Sequence, residues 1–191
     1  QTKWLNAFQK ESKVPLMTAM DAEWGVAMRL DSVMPFPWPM TLGAVKDSTL
    51  LRKIGKRMGM QEKRLGIHYS FGPTLDINTN PKNPIIGNRS YGSSPDRVIK
   101  QALAIMKGHH EAGVLTSGKH FPGHGDTSKD SHKTLPTVSL SSERLKEVEF
   151  KPYRKLINNG LTSVMVAHLN VPSISEKGLP KSLSEDIIQN I

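Results

Sequence analysis

The stretch Gly113-Val114-Leu115-Thr116-Ser117-Gly118-Lys119-His120-Phe121-Pro122-Gly123-His124-Gly125-Asp126, followed closely by Asp130-Ser131-His132, decides how this chain is read. Val114–Phe121 reads as a short strand after a helix that ends at Gly113. Pro122, Gly123 and Gly125 then forbid a regular helix, because proline lacks a backbone donor and glycine has no conformational preference to hold. The strand therefore ends by delivering Lys119 and His120, and a loop carries Asp130 and His132. Chemistry concentrates on loops held by a rigid scaffold.

An Asp two residues from a His has a specific use. A carboxylate that accepts a hydrogen bond from one imidazole nitrogen fixes the tautomer and leaves the other nitrogen to exchange protons. With an unperturbed pKa of about 6.5, such a histidine suits acid and base work, worth typically ~10²–10⁴-fold in rate. An isolated Asp130/His132 pair would read as a turn former beside a solvated histidine; its surroundings favour the chemical reading.

Working outward, strand candidates at Val14–Asp21, Ile67–Ile77, Val114–Phe121 and Leu161–Val171 alternate with helix candidates. Ser48–Gly66 has helical spacing, with Leu51, Ile54, Met58 and Leu65 on one side. Ser94-Pro95-Asp96 opens a helix ending at Gly113, with Ser94 as cap and Pro95 in the first turn. Ser141–Asn159 is a further helix, and Ser182-Leu183-Ser184-Glu185 has capping-box spacing for a last one. This alternation predicts an α/β fold of parallel βα units. Asp21, Asp76, Lys119, His120 and His168 all fall at or near strand ends, where the active residues of a βα barrel gather. The loops at 31–43, 78–95 and 122–136 are long and rich in Pro and Gly, as functional loops often are.

A length of 191 residues fits one domain, and 37% hydrophobic with 23% charged residues fits a globular protein. No apolar run approaches the ~20 residues of a membrane helix, and Gln1–Asn6 lacks the form of a secretion signal. The absence of cysteine excludes disulfides and thiolate chemistry and leaves the compartment open. The net charge of +9 raises nucleic-acid binding. Its cations are spread out, however, as in Lys46, Arg52, Lys53, Lys56, Arg57, Lys63 and Arg64, without interleaved aromatics, so a solvated basic helix is the simpler reading.

The run KHFPGHGDTSKDSH resembles the signature of glycoside hydrolase family 3, in its β-N-acetylhexosaminidase branch. Leu16–Arg29, Phe71–Asn78, Gly87–Gly92 and Val164–His168 resemble further segments of that family in order and spacing, so the likeness covers nearly the whole chain. It implies that residues 1–191 are one incomplete (β/α)8 TIM-barrel domain, about the second to fifth strands of a fold that takes eight strands and ~250 residues. The activity implied is a retaining glycosidase that removes terminal β-N-acetylglucosamine from a glycan or cell-wall fragment, with no cofactor or metal required.

By the same resemblance, His132 is the general acid/base and Asp130 its partner. Asp21, Lys119 and His120 hold sugar hydroxyls, and Arg29 and Arg89 are substrate-side arginines. Asp76 orients Lys119 or caps a turn, His124 organises its loop, and His168 is either pocket floor or a satisfied core histidine. The family's nucleophile is an Asp in a Ser-Asp-Asp-like segment, which no residue of this chain matches; Asp186 falls on the last helix instead. The chain by itself is therefore expected to be inactive and to self-associate through open sheet edges. Trp24 stands where the family has glycine, so pocket detail near it is not carried over.

Rival readings come from other classes. His120, His124, Asp126, Asp130 and His132 could be metal ligands, but the loop denies them the helix on which paired histidines share a face. His109 and His110 read more simply as cations near a helix C-terminus. A β-glucosidase of the same family, a non-catalytic carbohydrate-binding piece, and phosphate in place of water as acceptor remain alternatives.

Overall fold

A computed structural model of the chain describes residues 1–128, 134–175, 178–185 and 187. Four parallel strands, Ala19–Met20 (β1), Tyr69–Ser70 (β2), Leu115–Phe121 (β3) and Ser163–Val166 (β4), lie side by side in chain order. Thr2–Glu11 (α1) precedes β1, and Pro39–Gly43 (α2) and Ser48–Arg64 (α3) follow it. Pro95–Glu111 (α4) follows β2, and Ser142–Arg144 (α5) and Phe150–Ile157 (α6) follow β3. Neighbouring parallel strands joined in sequence by helices are how a βα barrel wall is built. The expected α/β partial barrel is what the chain forms. Among the described residues, no helix is long and apolar enough to cross a membrane.

The first two strands are much shorter than the runs Val14–Asp21 and Ile67–Ile77 suggested. After Ser70 the chain reaches Gly72-Pro73, and proline has no N–H to give to a ladder. Pairing resumes at a single bridge, Thr74 to Lys119, where the Leu75 N–H donates to the Lys119 carbonyl at 2.6 Å. The extended alternation survives the gap. Leu75 and Ile77 enter the apolar core with Val98, Ile105 and Met106 of α4 and Phe150, Tyr153 and Leu156 of α6, whereas Thr74 and Asp76 are buried polar residues.

In β3, Lys119 pairs with Met165 and Phe121 with Val166, so the register slips by one residue at His120. Phe121 keeps its place in the core, its ring 5.1 Å from those of both Phe150 and Tyr153. Ser141 caps the following helix through Arg144 N–H at 3.2 Å, and a π-helical turn, Leu145–Glu149, interrupts it. Ser94 occupies its expected cap position, but its side chain makes no capping bond.

Helices α3 and α4 meet backbone to backbone. A Cβ added at Gly55 would lie 2.4 Å from the Ile105 carbonyl oxygen, and one at Gly108 would lie 2.3 Å from that of Arg52. The basic face of α3 is partly neutralised across this contact, where Arg52 and Lys56 pair with Glu111. His109 and His110 are not exposed helix-end cations. His109 is buried, with Nε2 3.3 Å from the buried Glu62, and His110 Nε2 lies 2.8 Å from Thr116 Oγ1. Burial pushes the His110 imidazole below its ordinary pKa, toward the neutral form.

Helix α1 had no cap signal to announce it, and none of its residues is buried. Near the other end, a 3-10 turn, Lys181–Leu183, covers the start of the helix expected from Ser182, while Glu185 and Ile187 are helical; Asp186 lies outside the described residues.

Gly108→Ala should destabilise the fold by about 1–3 kcal/mol, because overpacking against a backbone atom outweighs the ~1 kcal/mol gain in helix propensity. Gly59→Ala should cost less, since the nearest atom there is the Ala112 methyl at 2.9 Å. Denaturant unfolding of the two variants tests that order.

Candidate active site

Three carboxylates and three permanent cations meet at the C-terminal ends of β1, β2 and β3. Asp21 leaves β1 with Glu23 two residues on, and in extended chain that spacing puts both on one side. Lys119, at the end of β3, crosses above β2 to reach them. Its Nζ lies 2.8 Å from Asp21 Oδ1 and 2.8 Å from Glu23 Oε1, and its side chain is 1% exposed. Arg29 closes the outer side on Asp21 Oδ2 at 2.7 Å. Arg89, on the 3-10 turn Gly87–Arg89, forks onto Glu23 through Nε at 2.9 Å and Nη2 at 2.6 Å.

His120 completes the group. A regular strand sends consecutive side chains to opposite faces, and the register slip at His120 lifts that restriction. Its Nδ1 and its backbone N–H both meet Asp76 Oδ2, at 2.7 and 3.1 Å, and Nε2 lies 3.4 Å from Arg89 Nη2. Since an arginine nitrogen can only donate, this arrangement sets the tautomer: Nδ1 carries the proton given to Asp76, and Nε2 turns its lone pair toward Arg89.

Asp76 also accepts the His124 backbone N–H at 2.6 Å, so one buried carboxylate ties β2, the end of β3 and the glycine-rich loop together. It thus orients His120 and the loop rather than Lys119. His124 is buried beside Thr127, with Nδ1 2.6 Å from its hydroxyl oxygen. Gly125 lets the loop press on the β2 extension, for a Cβ there would lie 1.7 Å from the Ile77 carbonyl oxygen.

Burial acts to raise all three carboxyl pKa values, but the donors around them outweigh it. Lys119 and Arg29 hold Asp21 below its ordinary value. Arg89 and Lys119 do the same for Glu23, and His120 with the His124 N–H does so for Asp76. Arg89 is pushed up in turn, Glu23 overcoming the opposite effect of burial. The three carboxylates are thereby held ionised at neutral pH. The floor of the group is buried Glu23, Asp76 and Lys119, and its reachable surface is Asp21, Arg29, Arg89 and His120.

The structure thus brings together Asp21, Arg29, Arg89, Lys119 and His120. His168 stands apart: it is exposed, which removes the core-histidine reading, and its Nδ1 lies 2.8 Å from Ser182 Oγ. Asp130 and His132 lie outside the described residues. Glu23 was missed as a site residue, although its place two residues beyond Asp21 was a readable signal. Among the described residues, no group of three or more His, Asp or Glu side chains is placed to hold a metal ion. His120 is engaged by Asp76, His124 by Thr127, and Asp126 accepts from Thr79 at 3.3 Å.

Comparison with known proteins places this geometry in context. Residues 3–191 match the glycosyl hydrolase family 3 N-terminal domain. Beta-hexosaminidase A of Pseudoalteromonas piscicida is 34% identical over 189 residues, covering 96% of this chain and 32% of that protein. The structure of a glycoside hydrolase family 3 beta-N-acetylglucosaminidase from Paenibacillus sp. str. FPU-7 superposes with a TM-score of 0.92 at 40% identity, covering 97% of this chain and 36% of that one. NagZ from Neisseria gonorrhoeae, in complex with N-trifluoroacetyl-D-glucosamine, gives a TM-score of 0.86 at 32% identity, covering 98% of this chain and 58% of that one. The chain thus spans from about a third to somewhat over half of these relatives. A match over nearly every residue, on a sheet whose strand ends carry the charged group just described, makes this chain a member of glycosyl hydrolase family 3, within its N-terminal barrel domain.

Proposed function

We propose that this chain forms the sugar-binding wall of a retaining β-N-acetylhexosaminidase that removes terminal β-N-acetylglucosamine. The observation that carries the reading is Lys119 held between Asp21 and Glu23, beside Arg89 and His120, at the strand ends. Carboxylates, guanidinium groups and an imidazole that are fixed before substrate arrives suit a neutral, hydroxyl-rich ligand. Each hydroxyl can donate to Asp21 and accept from Arg29 or Arg89, with no reorganisation of the protein. The hexosaminidase names of its relatives and the glucosamine derivative bound to NagZ favour an N-acetylated sugar over glucose.

In this reading the chemistry follows the resemblance. A carboxylate from the family's nucleophile segment attacks the anomeric carbon, while His132, paired with Asp130, first protonates the leaving oxygen and then activates water. The segment Pro122–Thr127, anchored on Asp76 and Ile77, leads directly into that Asp-x-His pair. Turnover of a chromogenic β-N-acetylglucosaminide against the matching β-glucoside, by protein that carries the nucleophile segment, tests the reading. A preference for the glucoside would overturn it. The chain without that segment should bind sugar but show no turnover.

His132→Ala should lower turnover of substrates with poor leaving groups by ~10²-fold or more, and good leaving groups should suffer less in the first step. Equal loss on both kinds of substrate would remove His132 from proton transfer.

Glu23→Gln should cost about 3–5 kcal/mol in unfolding free energy, because Lys119 is left buried with half its compensation. Acid titration should expose the same group. Asp21, Glu23 and Asp76 all have lowered pKa values in the folded state, so the unfolded chain binds more protons. Their contribution is present above the ordinary carboxylate range and is lost as pH falls below ~4 through the folded values. Unfolding midpoints measured from pH 7 downward should decline there, less steeply in Asp76→Asn than in the unsubstituted chain.

A further inference from the structure

Trp24 and Trp38 stack with ring centroids 4.0 Å apart and planes inclined by 20°. Trp24 is joined directly to Glu23, whose carboxylate holds Lys119 and Arg89. Trp38 opens α2, which packs against the 3-10 turn that carries Arg89. The stack therefore flanks the Glu23–Arg89 pair from both of its elements. It is not buried there: Trp38 is 44% exposed and the neighbouring Met34 is 82% exposed.

The ledge on which Trp38 sits is stiff and uncharged. Pro35, Pro37 and Pro39 fix the backbone at alternate positions. The Phe36 N–H donates to the Trp24 carbonyl at 3.1 Å. The Phe36 ring packs so closely on Gly25 that a Cβ there would lie 2.7 Å from it. No charged residue occurs from Ser32 to Val45. A large aromatic surface fixed in advance loses little entropy on binding, and its apolar face suits the C–H face of a pyranose ring.

We propose that Trp38, backed by Trp24, is the platform for the sugar that follows the terminal residue in the glycan, on the leaving-group side. This rests on the reading that Asp21, Arg29, Arg89 and His120 hold the terminal sugar. The occupant is a neutral pyranose, because the ledge offers no charge to recognise an anion. A polyanion would instead find the lysines and arginines of α3.

N-acetylglucosamine and its β-1,4-linked trimer, titrated into the chain while the indole N–H resonances are followed, test the proposal. The trimer should shift the Trp38 signal and bind about tenfold more tightly than the monosaccharide, which is about 1.4 kcal/mol. Trp38→Ala should abolish that gain while the monosaccharide affinity holds, and Trp38→Phe should keep part of it. A trimer no tighter than the monosaccharide, a gain that persists in Trp38→Ala, or a Trp38 shift that vanishes at high salt would overturn the platform. Should Trp38→Ala fail to fold, the resonance shift in the unsubstituted chain decides. A trimer that shifts Trp38 while the monosaccharide does not bind would retain the platform and refute the terminal-sugar reading, so the two fail separately.

Discussion

One buried ammonium organises this molecule. Lys119 is almost wholly buried, and a desolvated cation costs several kcal/mol unless compensated nearby. Its compensation comes from β1, which is not its neighbour in the sheet, since β2 lies between them. The ion pairs therefore bind the first and third strands across the second, at the end where backbone pairing is thinnest. Glu23 then passes the constraint to Arg89, and Arg89 passes it to His120. The group that meets a ligand and the group that holds the strand ends together are the same, so the site is preorganised by the fold's own need for neutrality.

Asp76 is the second anchor, and its role explains why the loop after β3 can be rich in glycine without losing its shape. Three donors, from His120 backbone, His120 ring and His124 backbone, converge on a single carboxylate that is 1% exposed. Glycine supplies the close approach at Gly125, and the carboxylate supplies the direction. Neither alone would fix where the chain goes next.

The strand and helix alternation was legible because hydrophobic periodicity survives in every unit from Ser48 to Val166. The positions of Asp21, Lys119 and His120 at strand ends followed from the same pattern. Strand lengths were less legible: apolar runs mark where chain is extended, whereas Pro73 decides where a ladder can form. Helix α1 was invisible since it lacks a cap, an acidic first turn and a buried face. Gly55 and Gly108 carry no mark in the sequence that sets them apart, and only three-dimensional packing reveals them as the helix contact itself. Asp76 was read as orienting Lys119 or capping a turn, because sequence gives the strand end and not which of two adjacent side chains turns toward it. Asp130 and His132 were read from a motif and lie outside the described residues.

The register slip at His120 divides β3 into two half-strands of opposite phase. Before it, side chains keep the alternation set by the helices behind the sheet; after it, Phe121 returns to the core although one residue has been added. The core and the charged group are thus decoupled along a single strand. Packing can vary on the Leu115–Gly118 side without rotating His120 out of the group, and polar residues can vary at the tip without pulling Phe121 from its aromatic neighbours. A strand that would otherwise force every substitution to be felt on both faces instead lets the interior and the ligand-facing surface change independently.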